Sequence, residues 1–117
     1  MRTYLPKQPR RAELELSSVL YALSDPIRLD IVRQLSAVDS LACGEFRIER
    51  PKSSLSHHFR VLRESGLVAT HRYRTALINT LRTKDLESRF PGLLKAILGS
   101  FPLRRASRAT RNRSAVR

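Results

Sequence analysis

The chain has 117 residues, 41% of them apolar, which suits one small domain with a modest core. Its 23 Lys and Arg against 10 Asp and Glu give a formal net charge of +13, so the expected partners are polyanions, nucleic acid before an anionic membrane. A single cysteine, Cys43, excludes a disulfide framework within the chain, and no apolar stretch approaches the ~20 residues of a membrane span.

Residues 1–10 hold two prolines among basic residues and read as a basic arm, charged and without the apolar run of a secretory leader. With its lone thiol suited to a reducing compartment, the chain is expected in the cytoplasm. From about Ala12, Leu16, Val19, Leu20 and Leu23 fall at i, i+3, i+4 and i+7, one stripe of an amphipathic helix. Ser24-Asp25-Pro26 breaks and restarts the chain, with Asp25 placed to cap and Pro26 at the first helical position. A second helix carries Ile27, Ile31, Leu35 and Val38. After a connector from Asp39 to Cys43, Gly44 to Glu49 is expected to form a short third helix, and a fourth runs from about Pro51 or Ser53 to Ser65. Gly66 stands where a left-handed C-terminal cap belongs.

The period then changes. Val68 to His71 and Ala76 to Leu81 are aliphatic and β-branched around the basic Arg72-Tyr73-Arg74-Thr75, the pattern of a β-hairpin. Thr83 is placed to cap a further turn, Phe90-Pro91 interrupts it, and Leu93, Leu94, Ile97 and Leu98 form a last apolar face before Gly99. From residue 100 the chain reads as a basic disordered tail: six arginines stand between Arg104 and Arg117 with no acid, and without them the charge is still +7. The folded unit is thus placed at 11–99. Its apolar stripes on the first helix (Leu16, Val19, Leu20, Leu23) and the last (Leu93, Leu94, Ile97, Leu98) exceed what so small a domain buries alone, and they are expected to form a two-fold dimer interface.

Helix, helix, short helix, helix, hairpin, helix is the order of a winged helix-turn-helix: mainly α, with a small β-hairpin. On the fourth helix Leu55, Phe59 and Leu62 share one face, while Ser53, Ser56, His57 and Arg60 line the opposite one with no acid among them. Short hydroxyls, an imidazole and a guanidinium are what a helix in a major groove needs for base edges and phosphates, whereas an ordinary solvated face mixes Glu with Lys. The DNA-facing set is therefore Lys52, Ser53, Ser54, Ser56, His57 and Arg60 on this helix, with Arg72 and Arg74 on the hairpin. His58 lies near the apolar edge of the wheel, where a packed histidine bonded to backbone is expected. The rival reading is a basic winged-helix module that binds RNA or a protein partner.

Two stretches carry a family resemblance: Leu23-Ser24-Asp25-Pro26-Ile27-Arg28-Leu29, and Ser53-Ser54-Leu55-Ser56-His57-His58-Phe59-Arg60-Val61-Leu62-Arg63-Glu64-Ser65-Gly66-Leu67-Val68. They resemble ArsR/SmtB regulators, whose second helix opens L-[AS]-D-P-[TI]-R and whose recognition helix reads S-x-x-S-x-H-[LF]-x-V-L-R-x-[AS]-G-L-V. The resemblance spans residues 14–98 and implies a dimeric bacterial regulator, usually a repressor, that leaves a palindromic double-stranded operator when an effector binds. The metal sensors of that family carry Cys-x-Cys before the third helix; here Ala42 and Gly44 fill both positions and Cys43 lies between them. The final helix offers no ligands either, and no metal or other cofactor is expected.

Cys43, His57, His58 and His71 are the only soft ligands, and adjacent histidines on a helix point about 100° apart, which disfavours joint chelation. A Cys43/His71 pair is imaginable from residue types, with nothing in the sequence to support it. There is no phosphate loop and no nucleophile elbow, so an enzyme is not expected. Arginine outnumbers lysine 19 to 4, as in proteins of GC-rich bacterial genomes.

Overall fold

The computed structural model describes residues 3–101; residues 1–2 and nearly all of the expected tail, from 102 on, lie outside it. Five short helices and four strands follow in the order β1 (Thr3–Tyr4), α1 (Leu16–Ala22), α2 (Pro26–Ser36), β2 (Leu41–Ala42), α3 (Lys52–Ser65), β3 (Val68–Tyr73), β4 (Ala76–Leu81), α4 (Thr83–Arg89) and α5 (Leu93–Gly99). One core joins them, built from Leu14, Val19, Ala22, Leu23, Ile31, Val32, Leu35, Phe59, Leu62, Leu67, Val68, Leu86 and Leu94. Each large aliphatic side chain among them contributes roughly 1.5–3 kcal/mol on burial.

The start of α2 forms as its residues dictate. The Asp25 carboxylate accepts from the amides of Ile27 (2.8 Å) and Arg28 (3.2 Å), and Pro26 occupies a position with no amide partner to lose. The buried stripe of α2 differs from expectation, however: Arg28, Ile31, Val32 and Leu35 face inward at i, i+3, i+4 and i+7, while Val38 is exposed. The first helix likewise starts later than Ala12. Arg11–Glu13 is a single 3-10 turn and Leu14 is an extended core residue, so α1 begins only at Leu16.

The expected third helix is not α-helical. Cys43–Glu45 makes one 3-10 turn, and an extended segment leads to Pro51, which disfavours helix at Arg50. The side-chain amide of Gln34 holds this segment: its Oε1 accepts from the Arg47 amide at 3.0 Å. Phe46 packs edge-on against Phe59 of α3, ring centroids 5.1 Å apart. The helix expected to read DNA is therefore the third helix of the fold, α3. It is free of interior Gly and Pro and ends at Gly66, whose φ of 89° is left-handed and whose amide bonds to Arg63 O.

The hairpin β3–β4 pairs six residues on each side, from Val68 opposite Leu81 to Tyr73 opposite Ala76. Arg74 takes the turn position that demands positive φ (59°), where glycine would be free of strain. The hairpin is the inner pair of a four-stranded antiparallel sheet, β1-β3-β4-β2. The outer strands satisfy edges that a bare hairpin leaves open, and at two residues each they have no periodicity to read. Residues 3–10 are thus no free arm. Thr3 and Tyr4 pair with Arg72 and His71, and Gln8 grips the backbone of Thr70 through both its oxygen (2.9 Å) and its nitrogen (2.7 Å). Arg82 Nη1 then donates to Pro9 O at 2.6 Å.

At the far end Thr83 is the first residue of α4 rather than its cap. Asp85 in its first turn accepts from Arg11 (2.7 Å) and Arg82 (3.0 Å), tying α4 back to the 3-10 turn before α1. Those bonds, that from Arg11 foremost, hold the Asp85 carboxyl below its ordinary range against burial, which would raise it.

Candidate nucleic-acid interface

The recognition helix has fourteen residues, and its buried side is made by His58, Phe59, Leu62 and Ser65. Lys52, Ser53, Ser56, His57 and Arg60 are all exposed on the remainder, and Ser54 is half-buried. The His57 Nδ1 lies 3.3 Å from Arg60 Nη2, so these two side chains share one patch. At the helix start Pro51 offers no side-chain acceptor. The first-turn amides thus lack a side-chain cap beside the exposed Arg50 and Lys52, which favours an anion there. The acid-free stretch ends at Glu64, eleven residues after Ser53 and about 16 Å further along the axis.

The wing tip exposes Arg72, Tyr73 and Arg74, with the Arg74 guanidinium 5.6 Å from the Tyr73 ring. Arg72 lies on the same face of β3 as Thr70, by strand alternation, and Thr3 of β1 pairs with it. The helix and the wing meet at Gly66, so one left-handed residue sets their relative direction. Leu14 fills the space beside it: a Cβ on Gly66 would come within 2.0 Å of Leu14 Cδ2.

His58 is buried as expected, but its partner is a side chain rather than backbone. Its Nδ1 is 3.1 Å from Nη1 of Arg28 and 3.9 Å from Oδ1 of Asp25. Burial lowers its pKa first; Asp25 opposes this, and Arg28, His57 and Arg50 add to it. Burial would raise the Asp25 carboxyl, but the amides of Arg28 and Ile27, with His58 and Arg28 nearby, hold it below its ordinary value. Sequence reasoning missed Arg28 in this cluster, although its place in the i, i+3, i+4, i+7 series with Ile31, Val32 and Leu35 marks it as inward-facing.

The Cys43/His71 pair does not exist. Thr70 Oγ1 and Asn79 Oδ1 are 2.7 Å apart on one face of the hairpin, and Cys43 Sγ lies 3.3 Å from Asn79 Nδ2 on that same face. His71, one residue on, points to the opposite face, where its ring lies 5.4 Å from that of Tyr4, the two planes tilted by 57°. Among the described residues no three His, Cys, Asp or Glu side chains gather as a metal site, and no helix is long and apolar enough to cross a membrane.

The residues expected at a dimer face divide into two groups. Val19, Leu23 and Leu94 are buried within the chain itself and cannot reach a partner. Leu16 and Leu20, one turn apart on α1, are exposed together with Tyr21, while Leu93, Ile97 and Leu98 are partly buried. Beside α5 an open apolar hollow of about 320 Å³ is lined by Leu29, Ala96, Ile97, Ser100 and Phe101.

Residues 23–71, from the end of α1 to the middle of β3, match a helix-turn-helix domain family. The chain is 34% identical over 84 residues to the HTH-type transcriptional regulator YceK of Bacillus subtilis, covering 69% of this chain and 84% of that protein. Over 61 residues it is 41% identical to the arsenical resistance operon repressor of Staphylococcus xylosus, 50% of this chain and 57% of that one. The crystal structure of the transcriptional repressor BigR from Xylella fastidiosa superposes with a TM-score of 0.54 at 32% identity, covering 68% of this chain and 89% of BigR. The first of these is a transcriptional regulator and the other two are repressors. With the winged helix in place and both sequence stretches on it, the chain belongs to the ArsR/SmtB family of helix-turn-helix transcriptional regulators.

Proposed function

We propose that this regulator is a sequence-specific repressor that binds a palindromic double-stranded operator as a homodimer and is released by an effector. The observation that carries this reading is the exposed, acid-free first three turns of α3, with the basic wing tip at the other end of the Gly66 joint. In this assignment Ser53, Ser56 and His57 meet base edges. Lys52, Ser54, Arg60, Arg72 and Arg74 hold phosphates, and Arg60 can also reach a guanine. Leu16 and Leu20, together with Leu93, Ile97 and Leu98, form the partner-facing surface, which places two recognition helices in half-sites about one helical turn apart.

Titration of the full chain with an operator duplex and a scrambled one, at several salt concentrations, tests the assignment. His57→Ala is expected to lower the ratio of specific to random binding, by about 1–3 kcal/mol at one operator position. Arg72→Ala and Arg74→Ala should weaken both duplexes alike and reduce the salt slope by about 0.9 for each phosphate that is no longer neutralised. Wing variants that bind like the parent, or a His57→Ala variant with an unchanged ratio, would remove the basis for this groove assignment. Preference for single-stranded RNA over any duplex would favour the rival reading instead.

A further inference from the structure

We propose that Arg28 is a positioning residue for DNA reading, whose buried guanidinium ties the recognition helix, through neutral His58, to the C-terminal end of α1. The inference rests on the DNA-binding reading above. Arg28 is only 5% exposed, yet its guanidinium is engaged on three sides. Nε donates to Ala22 O at 2.7 Å, Nη2 to Tyr21 O at 3.4 Å, and Nη1 to the His58 Nδ1 at 3.1 Å. The two carbonyls belong to the last turn of α1, where a cation is favoured; Tyr21 O also accepts from the Ser24 amide (3.0 Å) and hydroxyl (2.6 Å), so the short bond to Ala22 O is the main anchor. The Tyr21 ring lies 5.2 Å from the same guanidinium.

A guanidinium is a rigid planar fork, so donors fixed to two carbonyls also fix where the third can point. That third donor meets α3 at His58, one residue from His57 on the DNA-facing side. A shift of α3 about its axis that breaks the Arg28 bond also swings His57, Ser53 and Ser56. On the other side, the carbonyl anchors directly follow the exposed Leu20, which belongs to the surface assigned above to the partner. Arg28 thus couples that surface to the register of the reading helix.

The tie has a protonation requirement. His58 Nδ1 accepts from Arg28 only as a neutral ring; a proton on that nitrogen would face another N–H donor. The charged and titratable groups around it are Asp25 and Arg28 from the start of α2, His57 on its own helix, and Arg50 in the preceding loop. Asp25 is the only acid among them, so acidification replaces the Arg28 bond by attraction toward Asp25. H58Q keeps His57 and every other titratable group, so its pH profile beside that of wild type isolates the part that His58 carries.

The probe is the duplex that the wild-type full chain enriches from a random-sequence pool, with its scrambled counterpart, titrated in steps from about pH 7.5 down to about pH 4.5. Burial sets His58 below its ordinary value, so the wild-type ratio is expected to stay level near neutral pH and to fall by up to about tenfold for each pH unit below that value. H58Q, which keeps an acceptor but does not titrate, should hold a ratio within about threefold of wild type near neutral pH and fall less steeply below it. R28K, which keeps the charge but not the fork, should lose about tenfold in the ratio near neutral pH, with scrambled binding unchanged. Imidazole ¹⁵N spectra of the free protein should show His58 with a bare Nδ1. A protonated Nδ1 at neutral pH, a wild-type ratio in R28K, or a fall in H58Q as steep as that of wild type would each overturn the proposal. Should R28K not fold, the H58Q profile and the imidazole spectrum decide it. A pool that yields no preferred duplex refutes the DNA reading itself, and a bare Nδ1 would then leave Arg28 as a structural tie only, which also overturns the proposal.

Discussion

Replacing Gly66 by alanine tests the joint between recognition helix and wing. The residue has φ +89°, and its missing Cβ would lie 2.0 Å from Leu14 Cδ2 and 3.3 Å from Pro9 Cγ. Left-handed backbone costs an L-residue roughly 1–2 kcal/mol. Leu14 is 2% exposed and cannot swing into solvent, so the new methyl overpacks the core by a further ~1–3 kcal/mol. The stiffer unfolded chain returns at most about 1 kcal/mol. A net loss of about 2–4 kcal/mol is expected, a large part of the ~5–15 kcal/mol that holds such domains together. Urea unfolding followed by circular dichroism measures it. Leu14→Ala alone should cost about 2–5 kcal/mol by leaving a cavity. Combined with Gly66→Ala it should cost at least ~1 kcal/mol less than the sum, because the truncated side chain makes room for the methyl while the backbone strain remains. A Gly66→Ala variant within about 0.5 kcal/mol of wild type, or strict additivity in the pair, would refute the steric reasoning.

Asp25→Ala should cost about 1 kcal/mol by uncapping α2. Since the folded Asp25 carboxyl sits below its ordinary value, its stabilisation is complete above the unfolded pKa near about 3.9 and is lost as pH falls through the folded value, so wild type and variant should converge in acid. Leu16→Glu with Leu20→Glu should leave a folded monomer in sedimentation, with weak DNA binding; the buried Leu94 is unsuitable for that test, because charging it would unfold the chain. Cys43→Ser keeps a polar atom beside Asn79 Nδ2, so DNA affinity should be unchanged in a duplex titration. Zinc, cadmium or arsenite at stoichiometric dose should release DNA from neither protein, and release from the wild type alone would make Cys43 a sensor.

Where the sequence repeats itself over several turns, the fold could be read from it. The α2 cap at Asp25-Pro26, the recognition helix and its Gly66 terminus, and both long strands follow from residue type and period. What escaped reading depends on single pairings at long sequence separation. Gln8 finds Thr70 sixty-two residues away, and two-residue strands have no period at all. The stripe on α1 was visible, but an amphipathic pattern cannot say which members face the protomer core and which face outward. Val19 and Leu23 turn inward because they pack with Leu14 and Ile31 in one core, while Leu16 and Leu20 lie on the helix edge beyond its reach. Of the DNA-facing set, Lys52, Ser53, Ser56, His57 and Arg60 share the exposed face that the helical wheel gave them, and which of them meet DNA is for titration to establish.

Arg28 shows why the reading stopped at the surface. A charged side chain among inward-facing positions looks like an error in the stripe unless three acceptors await it, and those acceptors come from two other helices. The same holds at the other end of α3, where Gly66 is required by Leu14, a residue outside the helix-turn-helix unit. The reading helix is therefore gripped near its middle by the end of α1 and at its finish by the segment before α1. Both grips belong to the N-terminal part of the chain, which also carries the exposed Leu16 and Leu20. A signal that rearranges that part has direct mechanical access to α3 at two points without passing through the residues that face DNA. If the proposed function holds, sensing is thereby separated from DNA contact: such a chain could change its effector while keeping α3, as long as the end of α1, Leu14 and Arg28 still hold that helix in register.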